Sequence, residues 1–467
     1  MTGRRGLRTA LRRATSYRGP GSVPALRSRP FRLLAGGQLV SNVGDGLYAV
    51  ALPWYVLSHH GGAILLGTVL AAYGVPRTCL IMVGGHLADR LSPWTVMMAA
   101  DIGRLGLAGG LAVLATAQRP EFLTLAPIAF GLGAGEGLFL PASYAIMPKL
   151  VADDQLQSGN ALLSASTQLA VFAGPALGGA VVAALSSAAG FGLDAVSFGV
   201  SALTLWRLGA TVAARSAAGA AEPVVAAAAA NSDPAGDGDS LGGPGSELSS
   251  RRFLNFVRRE PVVPLIMAVD IMANLGSAGT TEVALPLFAR EHLHAGAGGY
   301  GALIASAGIG ALAGSLAATR LNRARRPAVA AGLIFLAQVP LMLCLPWAPG
   351  LVVAAAILAL WGGLNMSANV TTQTAFQRWA PPDLIGRLSG LLLTTSYGMF
   401  PASVALAGLV AHRYGPGAFF IFAAVSLAAT LAWALSRQAF RDFGMRPVAG
   451  PSAQPASPDR AAVAPSP

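Results

Sequence analysis

Residues 320–347 read RLNRARRPAVAAGLIFLAQVPLMLCLPW, a segment in which four arginines precede twenty residues that carry no charge. An α-helix rises about 1.5 Å per residue, so about 20 apolar residues are needed to cross the hydrocarbon core of a bilayer. The uncharged part, 328–347, therefore predicts a transmembrane helix. The arginines before it mark the point where the chain leaves the membrane.

The rest of the chain repeats this pattern. Of its 467 residues 54% are hydrophobic and 11% are charged, and its mean hydropathy is +0.58. Soluble domains carry about 25% charged residues, so water is not the main solvent of this chain. The composition predicts an all-α membrane protein. The same window predicts twelve transmembrane helices, at 31–57, 63–88, 94–117, 121–147, 158–185, 189–208, 262–289, 299–319, 328–347, 350–376, 386–411 and 416–436.

The distribution of basic residues predicts the orientation. With both termini in the cytoplasm, 27 of the 32 Lys and Arg residues lie on the cytoplasmic side, three lie outside and two lie within spans. Cytoplasmic loops of membrane proteins carry such an excess of positive charge. We therefore expect a multi-pass protein of the plasma membrane with both termini cytoplasmic. The net charge of +12 flanks the bilayer, and no nucleic-acid partner is expected.

Composition divides the chain into two six-helix bundles. Each bundle is bounded by segments too polar or too simple in sequence to pack. The predicted organisation is a disordered basic arm at 1–30, a first bundle at 31–208, a low-complexity linker at 209–250, a second bundle with a short interfacial helix at 251–440, and a disordered tail at 441–467.

The two bundles also resemble each other in sequence. Residues 148–156 match the layout of residues 376–384 at an offset of 228, and LPW at 52–54 is echoed by LPL at 285–287. Parallel repeats of six helices are typical of transporters whose binding site lies at the midplane between the halves. A small-molecule substrate is therefore the expected partner, together with the lipid bilayer.

Three ionisable residues fall at one depth in the first bundle. Asp45 lies about 21 Å above the start of the first span, Arg77 about 18 Å above Asp89, and Glu136 about 18 Å above Pro148. A charge at this depth is costly, so it has a partner or a function. We expect a buried cluster of Asp45, Arg77 and Glu136 in which one carboxylate exchanges protons. The alternative is a static pair that holds the first two spans together.

Other polar residues in the spans are assigned more simply. Asn365 and Asn369 share one face of the tenth span, and we expect them, with Gln373 and Asn42, to line the substrate cavity. Hydrogen bonds between helices are the alternative role. Asp101 and Arg104 are expected to form a structural pair in a peripheral third span. Glu282 lies about 31 Å from Pro261, and we expect it at the outer mouth as a solvated rim charge; guiding a cationic substrate is the alternative.

Short motifs add a family resemblance. GHLADR at 85–90 and its degenerate partner GSLAATR at 314–320 resemble the cytoplasmic loop motif of the major facilitator superfamily. GPALGG at 174–179 resembles a motif of its drug/proton antiporters, and NVGD at 42–45 and LDAVSF at 193–198 are similar to its macrolide-efflux and enterobactin-exporter-like branch. The arginine common at the start of the fourth span in drug antiporters is missing here.

The resemblance implies the major facilitator fold and two moving parts. The first is a conformational latch of Gly85, Asp89, Arg90 and Arg387, in which Asp89 accepts hydrogen bonds from the start of the eleventh span; a local ion pair with Arg90 is the alternative. The second is a bend in the fifth span. The residues expected to bend it and admit a neighbouring helix are Gly174, Pro175, Gly178 and Gly179.

These features predict proton-coupled export of a drug-like or secondary-metabolite molecule by a monomeric secondary transporter. Proton-coupled import of a small metabolite is the alternative, and a membrane enzyme or scaffold is a third reading. The sequence has no nucleotide-binding loop of the G-x-x-x-x-G-K-[ST] type and no acid/base cluster of an enzyme. No cofactor and no metal site are expected.

Overall fold

The computed structural model of the protein describes residues 24–117, 120–151, 155–219, 253–321, 326–381 and 384–445. These residues form a bundle of long helices. The predicted arm up to residue 23, the linker from residue 220 and the tail from residue 446 lie outside the described ranges. Apart from a short helical stretch at 253–259, the helices are α1 (Arg29–Ser58), α2 (Ala63–Leu91), α3 (Pro93–Ala117), α4 (Phe122–Ala145), α5 (Leu156–Ala184), α6 (Ser187–Gly219), α7 (Val262–Glu291), α8 (Ala297–Leu321), α9 (Pro327–Trp347), α10 (Leu351–Trp379), α11 (Ile385–Tyr414), α12 (Pro416–Ser436) and the short α13 (Gln438–Arg441).

The twelve predicted spans coincide with α1 to α12, which agrees with the predicted all-α class. Eleven of the described helices are long and apolar enough to cross a membrane. The helix α1 is equally long, at 30 residues, but is more polar because it carries Gln38, Ser41, Asn42 and Asp45. Two helices are irregular: α7 contains a π-helical segment at Thr280–Ala284, and α9 is interrupted at Gln338, before Pro340.

Three predicted boundaries need correction. The helix α6 continues to Gly219, into the predicted linker, because the segment is rich in alanine, the best helix former. Residues 24–30 are ordered: a 3₁₀ turn at Pro24–Arg27 precedes α1, whose first turn is capped by the side chain of Ser28. The start of the predicted tail is also ordered, since Phe443 is buried.

The outer surface of the bundle is apolar. Leu123, Val352 and Val113 are 70–82% exposed, and many other large apolar side chains share this position. A soluble protein rarely exposes so much contiguous apolar surface, whereas lipid tails solvate it. Polar and charged side chains such as Asp101, Arg104 and Asp194 are instead buried between helices. This arrangement is what a bilayer demands of a spanning protein.

Helix packing divides the bundle into an N-half (α1–α6) and a C-half (α7–α12). Within the N-half α1 packs on α5 and α6, and α2 packs on α4; within the C-half α8 packs on α10, and α7 packs on α11 and α12. The halves meet mainly through α2 against α11 and α5 against α8. We call the side where α1 begins and α12 ends the terminal side, and the other the distal side.

Glycines in the C-half allow α8 and α10 to pack backbone against backbone. A methyl group at Gly310 would overlap the carbonyl oxygen of Ala359, whereas one at Gly390 would meet nothing within 4 Å. We expect Gly310→Ala to destabilise the protein by about 1–3 kcal/mol, because overpacked contacts force helices apart. Gly390→Ala should be neutral or stabilising, since alanine favours helix. Thermal denaturation of the two purified variants measures this difference, and equal melting temperatures would contradict the expectation.

Candidate functional site

A cavity of about 150 Å³ lies at the middle of the bundle, between the two halves. Asp45 of α1, Arg77 of α2 and Glu136 of α4 all line it. The predicted layer of these three residues therefore exists as a shared cavity. We call it the charged cavity. Its remaining polar or charged lining residues are Tyr48, Tyr73, Arg104, Asp194 and Glu282.

Two glycines of α4 bring α2 close enough for an ion pair. A methyl group at Gly133 would overlap the carbonyl oxygen of Tyr73, and one at Gly137 would lie 2.6 Å from the carbonyl oxygen of Arg77. Small residues four apart allow such close helix contact in membranes. Glu136, which lies between Gly133 and Gly137 in the sequence, forms an ion pair with Arg77 at 2.8 Å and accepts a hydrogen bond from the Tyr73 hydroxyl.

Arg77 also reaches the C-half. Its guanidinium lies 5.1 Å from the ring centre of Tyr397 and 5.8 Å from that of Phe400, both on α11. A cation over an aromatic face within about 6 Å is attracted to it, more strongly where water is excluded. Next to it, the Thr78 hydroxyl donates to the Tyr397 carbonyl at 2.9 Å. Arg77 therefore joins a carboxylate of the N-half to the aromatic rings of the C-half.

Asp45 has a different partner from the one expected. Its carboxylate lies 4.0 Å from Arg104 of α3, and Arg104 also contacts Asp101 at 2.6 Å. The predicted Asp101–Arg104 pair is thus present, but it extends into the charged cavity instead of remaining peripheral. The rings of Phe198 and Phe139 lie 4.3 and 4.8 Å from the Arg104 guanidinium. The side chain of Arg104 is 3% exposed and that of Asp45 is 37% exposed, so Asp45 is the accessible member of the Asp101–Arg104–Asp45 series.

Two further carboxyl groups complete the cavity, and sequence reasoning did not assign either to it. Asp194 of α6 is buried, and its Oδ1 has no hydrogen-bond partner among the described residues. Gly44 makes room for it, because a methyl group there would lie 2.7 Å from that oxygen. The LDAVSF motif at 193–198 was the available signal for Asp194. The motif indicated a family resemblance but did not predict which residues contact the Asp194 side chain.

Glu282 of α7 is the charged residue that the C-half contributes to the charged cavity. The expectation of a solvated rim charge was wrong, because α7 continues for more than two turns beyond Glu282 and places it below the distal surface. Glu282 lies in the π-helical segment Thr280–Ala284. The widened turn leaves the Thr281 carbonyl to accept a hydrogen bond from Tyr300 of α8 at 3.1 Å. Such π segments are rare and occur mostly at functional sites.

A second cavity, of about 370 Å³, lies in the C-half towards the terminal side. We call it the C-half cavity. Asn365, Asn369 and Gln373 of α10 line it, and their contact with a substrate stays a prediction. Asn365 donates to Gln338 of α9 at 3.3 Å and Asn369 donates to Asn365 at 2.9 Å, so interhelical bonding and cavity lining occur together. The fourth predicted residue, Asn42, lines neither cavity and donates instead to Thr167 of α5 at 3.3 Å.

The other predicted motifs divide into a described and an undescribed part. The surroundings of Gly85 and of the Asp89 side chain are not described, while Arg90 is exposed and Arg387 is half-buried. The latch therefore stays a prediction. The glycine motif of α5 does admit neighbouring helices. A methyl group at Gly174 would lie 2.9 Å from the Cα of Gly46, and the other close approaches in the motif involve Pro175, Gly178 and Gly179.

On the distal side the two halves pack backbone against backbone at glycines. A methyl group at Gly179 of α5 would lie 2.7 Å from the Cα of Gly301 in α8. One at Gly67 of α2 would lie 3.0 Å from the Cα of Gly408 in α11. All four glycines lie near the distal ends of their helices. The structure is therefore closed distally, and the C-half cavity lies towards the opposite side.

Comparison with known proteins decides the family. The model of the Major Facilitator Superfamily matches residues 34–403, most of the chain. The chain belongs to the major facilitator superfamily. This superfamily member is 26% identical over 430 residues to the multidrug efflux pump Tap of Mycobacterium tuberculosis, covering 90% of this chain and 96% of Tap. It is 27% identical over 388 residues to the enterobactin exporter EntS of Salmonella typhimurium, covering 79% and 83%.

Solved structures agree on the fold of this superfamily member. A bacterial homologue of the iron transporter ferroportin, in an inward-facing state, superposes with a TM-score of 0.62 at 16% identity over 86% of this chain and 99% of that one. The nucleoside transporter NupG gives a TM-score of 0.62 at 13% identity over 87% and 98%. The predicted family and fold are confirmed. The chain is a multi-pass transporter of the cell membrane, which is not a class of enzyme.

Proposed function

We propose that this transporter exports an amphipathic small molecule by alternating access, driven by proton entry through the charged cavity. The carrying observation is its imbalance of charge: four carboxyl groups (Asp45, Glu136, Asp194 and Glu282) face two guanidinium groups (Arg77 and Arg104). Uncompensated charge within a bilayer is costly, so the surplus carboxyl groups call for additional positive charge. Protons supply this charge reversibly. Asp45, the most accessible member of the Asp101–Arg104–Asp45 series, is the proposed site of proton exchange.

The position of the charged cavity supports coupling to a conformational change. Arg77 stacks on two rings of α11, while Glu282 projects into the cavity from α7. Both contacts cross from one half to the other. A change in the protonation of Glu136 or Asp45 alters the charge that Arg77 and Glu282 experience, and so biases the equilibrium between two arrangements of the halves.

The direction and orientation rest on separate support. The excess of basic residues on the terminal side favours a cytoplasmic location for both chain ends. The distally closed structure then has its C-half cavity on the cytoplasmic side, where a substrate for export is loaded. The relatives Tap and EntS are named as an efflux pump and an exporter, which supports the same direction. A monomer contains both halves and both cavities, and we propose it as the working unit.

The test is transport into everted membrane vesicles whose lumen is acidified. We expect gradient-dependent accumulation of at least one compound from a panel of cationic, neutral and anionic amphipaths, abolished by a protonophore. The control is vesicles from cells that lack the protein. Absence of gradient-dependent flux for the whole panel would contradict proton-driven export. Accumulation only under the opposite gradient would favour the import alternative.

Substrate contacts are proposed for Asn365, Asn369 and Gln373. Replacing Asn369 with alanine removes one amide from the C-half cavity but none of the charged groups. We expect the KM of the accumulated compound to rise about tenfold, the value of one or two hydrogen bonds, with the proton dependence unchanged. Transport kinetics at two imposed gradients measure both quantities. A normal KM would exclude Asn369 as a contact.

A further inference from the structure

The C-half cavity carries one charge. Among the described residues that line it, Asp270 of α7 is the only charged one, and no arginine or lysine is among them. Its remaining polar lining consists of neutral amides and hydroxyl groups. The charged cavity, in contrast, holds carboxyl and guanidinium groups together. The two cavities therefore differ in chemistry: the described lining of the C-half cavity holds a carboxyl group and no cation, whereas that of the charged cavity holds both.

Neutral donors hold this carboxyl group in place. The Thr395 hydroxyl donates to Oδ2 of Asp270 at 2.6 Å, the Ser396 hydroxyl donates to both oxygens at 3.2 Å, and Asn274 donates to Oδ1 at 3.1 Å. Hydrogen bonds of this kind fix the direction of a carboxylate without cancelling its charge. Asp270 is half-buried, so it remains accessible from the cavity. Asp270 is therefore a carboxyl group of fixed orientation with no counter-ion in the described lining of its cavity.

The wall around Asp270 is apolar and aromatic. Phe335 of α9, Phe376 of α10, and Phe440 and Phe443 after α12 all contribute to it. Aromatic faces attract cations, and the attraction increases as water is excluded. The volume of about 370 Å³ falls within the range of sites for drug-sized ligands. Aromatic surface and a single carboxyl group together match a molecule that combines an apolar ring system with one positive charge.

From these observations we infer that the C-half cavity is a binding site for monovalent organic cations with an aromatic body, with the positive charge placed at Asp270. The inference rests on the proposed export function in that it names the class of molecule exported. Asp270 acts as the group that selects charge, and the four phenylalanines accommodate the apolar part. The amides of Asn365, Asn369 and Gln373 on the facing helix α10 contact polar substituents.

A short stretch of α11, residues 395–400, connects this site to the charged cavity. Thr395 and Ser396 hold Asp270, while Tyr397 and Phe400 stack on Arg77. A cation that draws Asp270 away from Thr395 and Ser396 therefore loosens the segment that contacts Arg77. This gives the two cavities a shared element through which occupation of one affects the other.

The experiment compares two ions of one shape and opposite charge. Equilibrium binding of tetraphenylphosphonium and tetraphenylborate is measured on the full-length protein purified in neutral detergent, where no membrane potential acts. We expect tetraphenylphosphonium to bind and tetraphenylborate not to compete. Asp270→Asn should weaken tetraphenylphosphonium binding by about 30-fold or more, the usual effect of removing one member of a buried charge pair. Glu291→Gln, an exposed acid on the same helix, is the matched control and should bind as wild type.

The outcomes separate this site from the proposed function. Asp270→Glu keeps the charge and should retain the preference for the cation, which excludes misfolding as the cause of the Asp270→Asn loss. Wild-type binding by Asp270→Asn, or equal binding of the two ions by the wild type, would overturn the inference. Cation binding at Asp270 without any gradient-dependent flux would leave the site standing and would overturn only proton-driven export.

Discussion

Asp45→Asn is expected to reduce proton-driven accumulation to background while leaving downhill exchange of the same compound in place. The substitution keeps the shape of the side chain but removes its ability to gain and lose a proton. Asp45 lies 4.0 Å from Arg104, which retains Asp101 as a partner at 2.6 Å, so the buried guanidinium is not left unpaired. The fold should therefore survive, and the loss should be confined to coupling.

Two assays on reconstituted protein distinguish coupling from folding. Uphill accumulation under an imposed pH gradient should fail, and exchange of labelled against unlabelled compound without a gradient should proceed. Glu121→Gln is the matched control, because Glu121 is an exposed acid at the start of α4, away from both cavities. Full gradient-driven accumulation by Asp45→Asn would refute the coupling role and would favour the static interpretation of the cluster.

Gly179→Val should open the distal side and stop transport. The Cα of Gly301 lies 2.7 Å from the position of a methyl group on Gly179, so a side chain there forces α5 and α8 apart. Packed helix interfaces do not absorb such a group by small adjustments. The distally closed arrangement loses stability relative to the distally open one, and the populations shift accordingly.

Spin labels at the distal ends of α5 and α8 report this shift. Labels at Ser186→Cys and Gly296→Cys, both exposed positions, should move apart by several ångströms in the Gly179→Val background. The native cysteines, Cys79 and Cys344, are replaced first because both are exposed. The matched control is Gly110→Val, where a side chain meets nothing within 4 Å. Unchanged distances in Gly179→Val would show that this contact does not govern distal closure.

Hydropathy alone located the helices because each must span the same thickness of apolar solvent. The depth of ionisable residues was equally predictable: a constant rise per residue placed Asp45, Arg77 and Glu136 in one layer, and all three line one cavity. The same arithmetic failed for Glu282. It placed Glu282 about 31 Å from Pro261, at the far surface of the bilayer, whereas Glu282 lines the charged cavity and α7 runs on to Glu291.

Partners were harder to predict than depth. The pairing of Asp45 with Arg104 depends on the rotation of α1 and α3 about their axes, which the separate spans do not encode. The C-half cavity combines side chains from α7, α9, α10, α11, α12 and the segment after α12. The polar residues of α10 predicted one side of this cavity. The role of Asp270 could not be predicted from the sequence, because an acidic residue within a span gives the same pattern whether it caps a helix, packs against a neighbouring helix or binds a ligand.

Glu282 lines the charged cavity from within the π-helical segment of α7, so a change of one residue in the length of that segment decides whether its side chain faces the cavity. An α-helix turns by about 100° per residue, and a π segment accommodates one residue more than the regular helix would. Deleting a single codon within 280–284 would restore regular geometry and change which residue of this segment faces the charged cavity, while the turns on either side keep their orientation. An insertion or deletion of this size, which conserves composition and hydropathy, is thus a short evolutionary route between transporters with and without a carboxyl group from the C-half in their charged cavity.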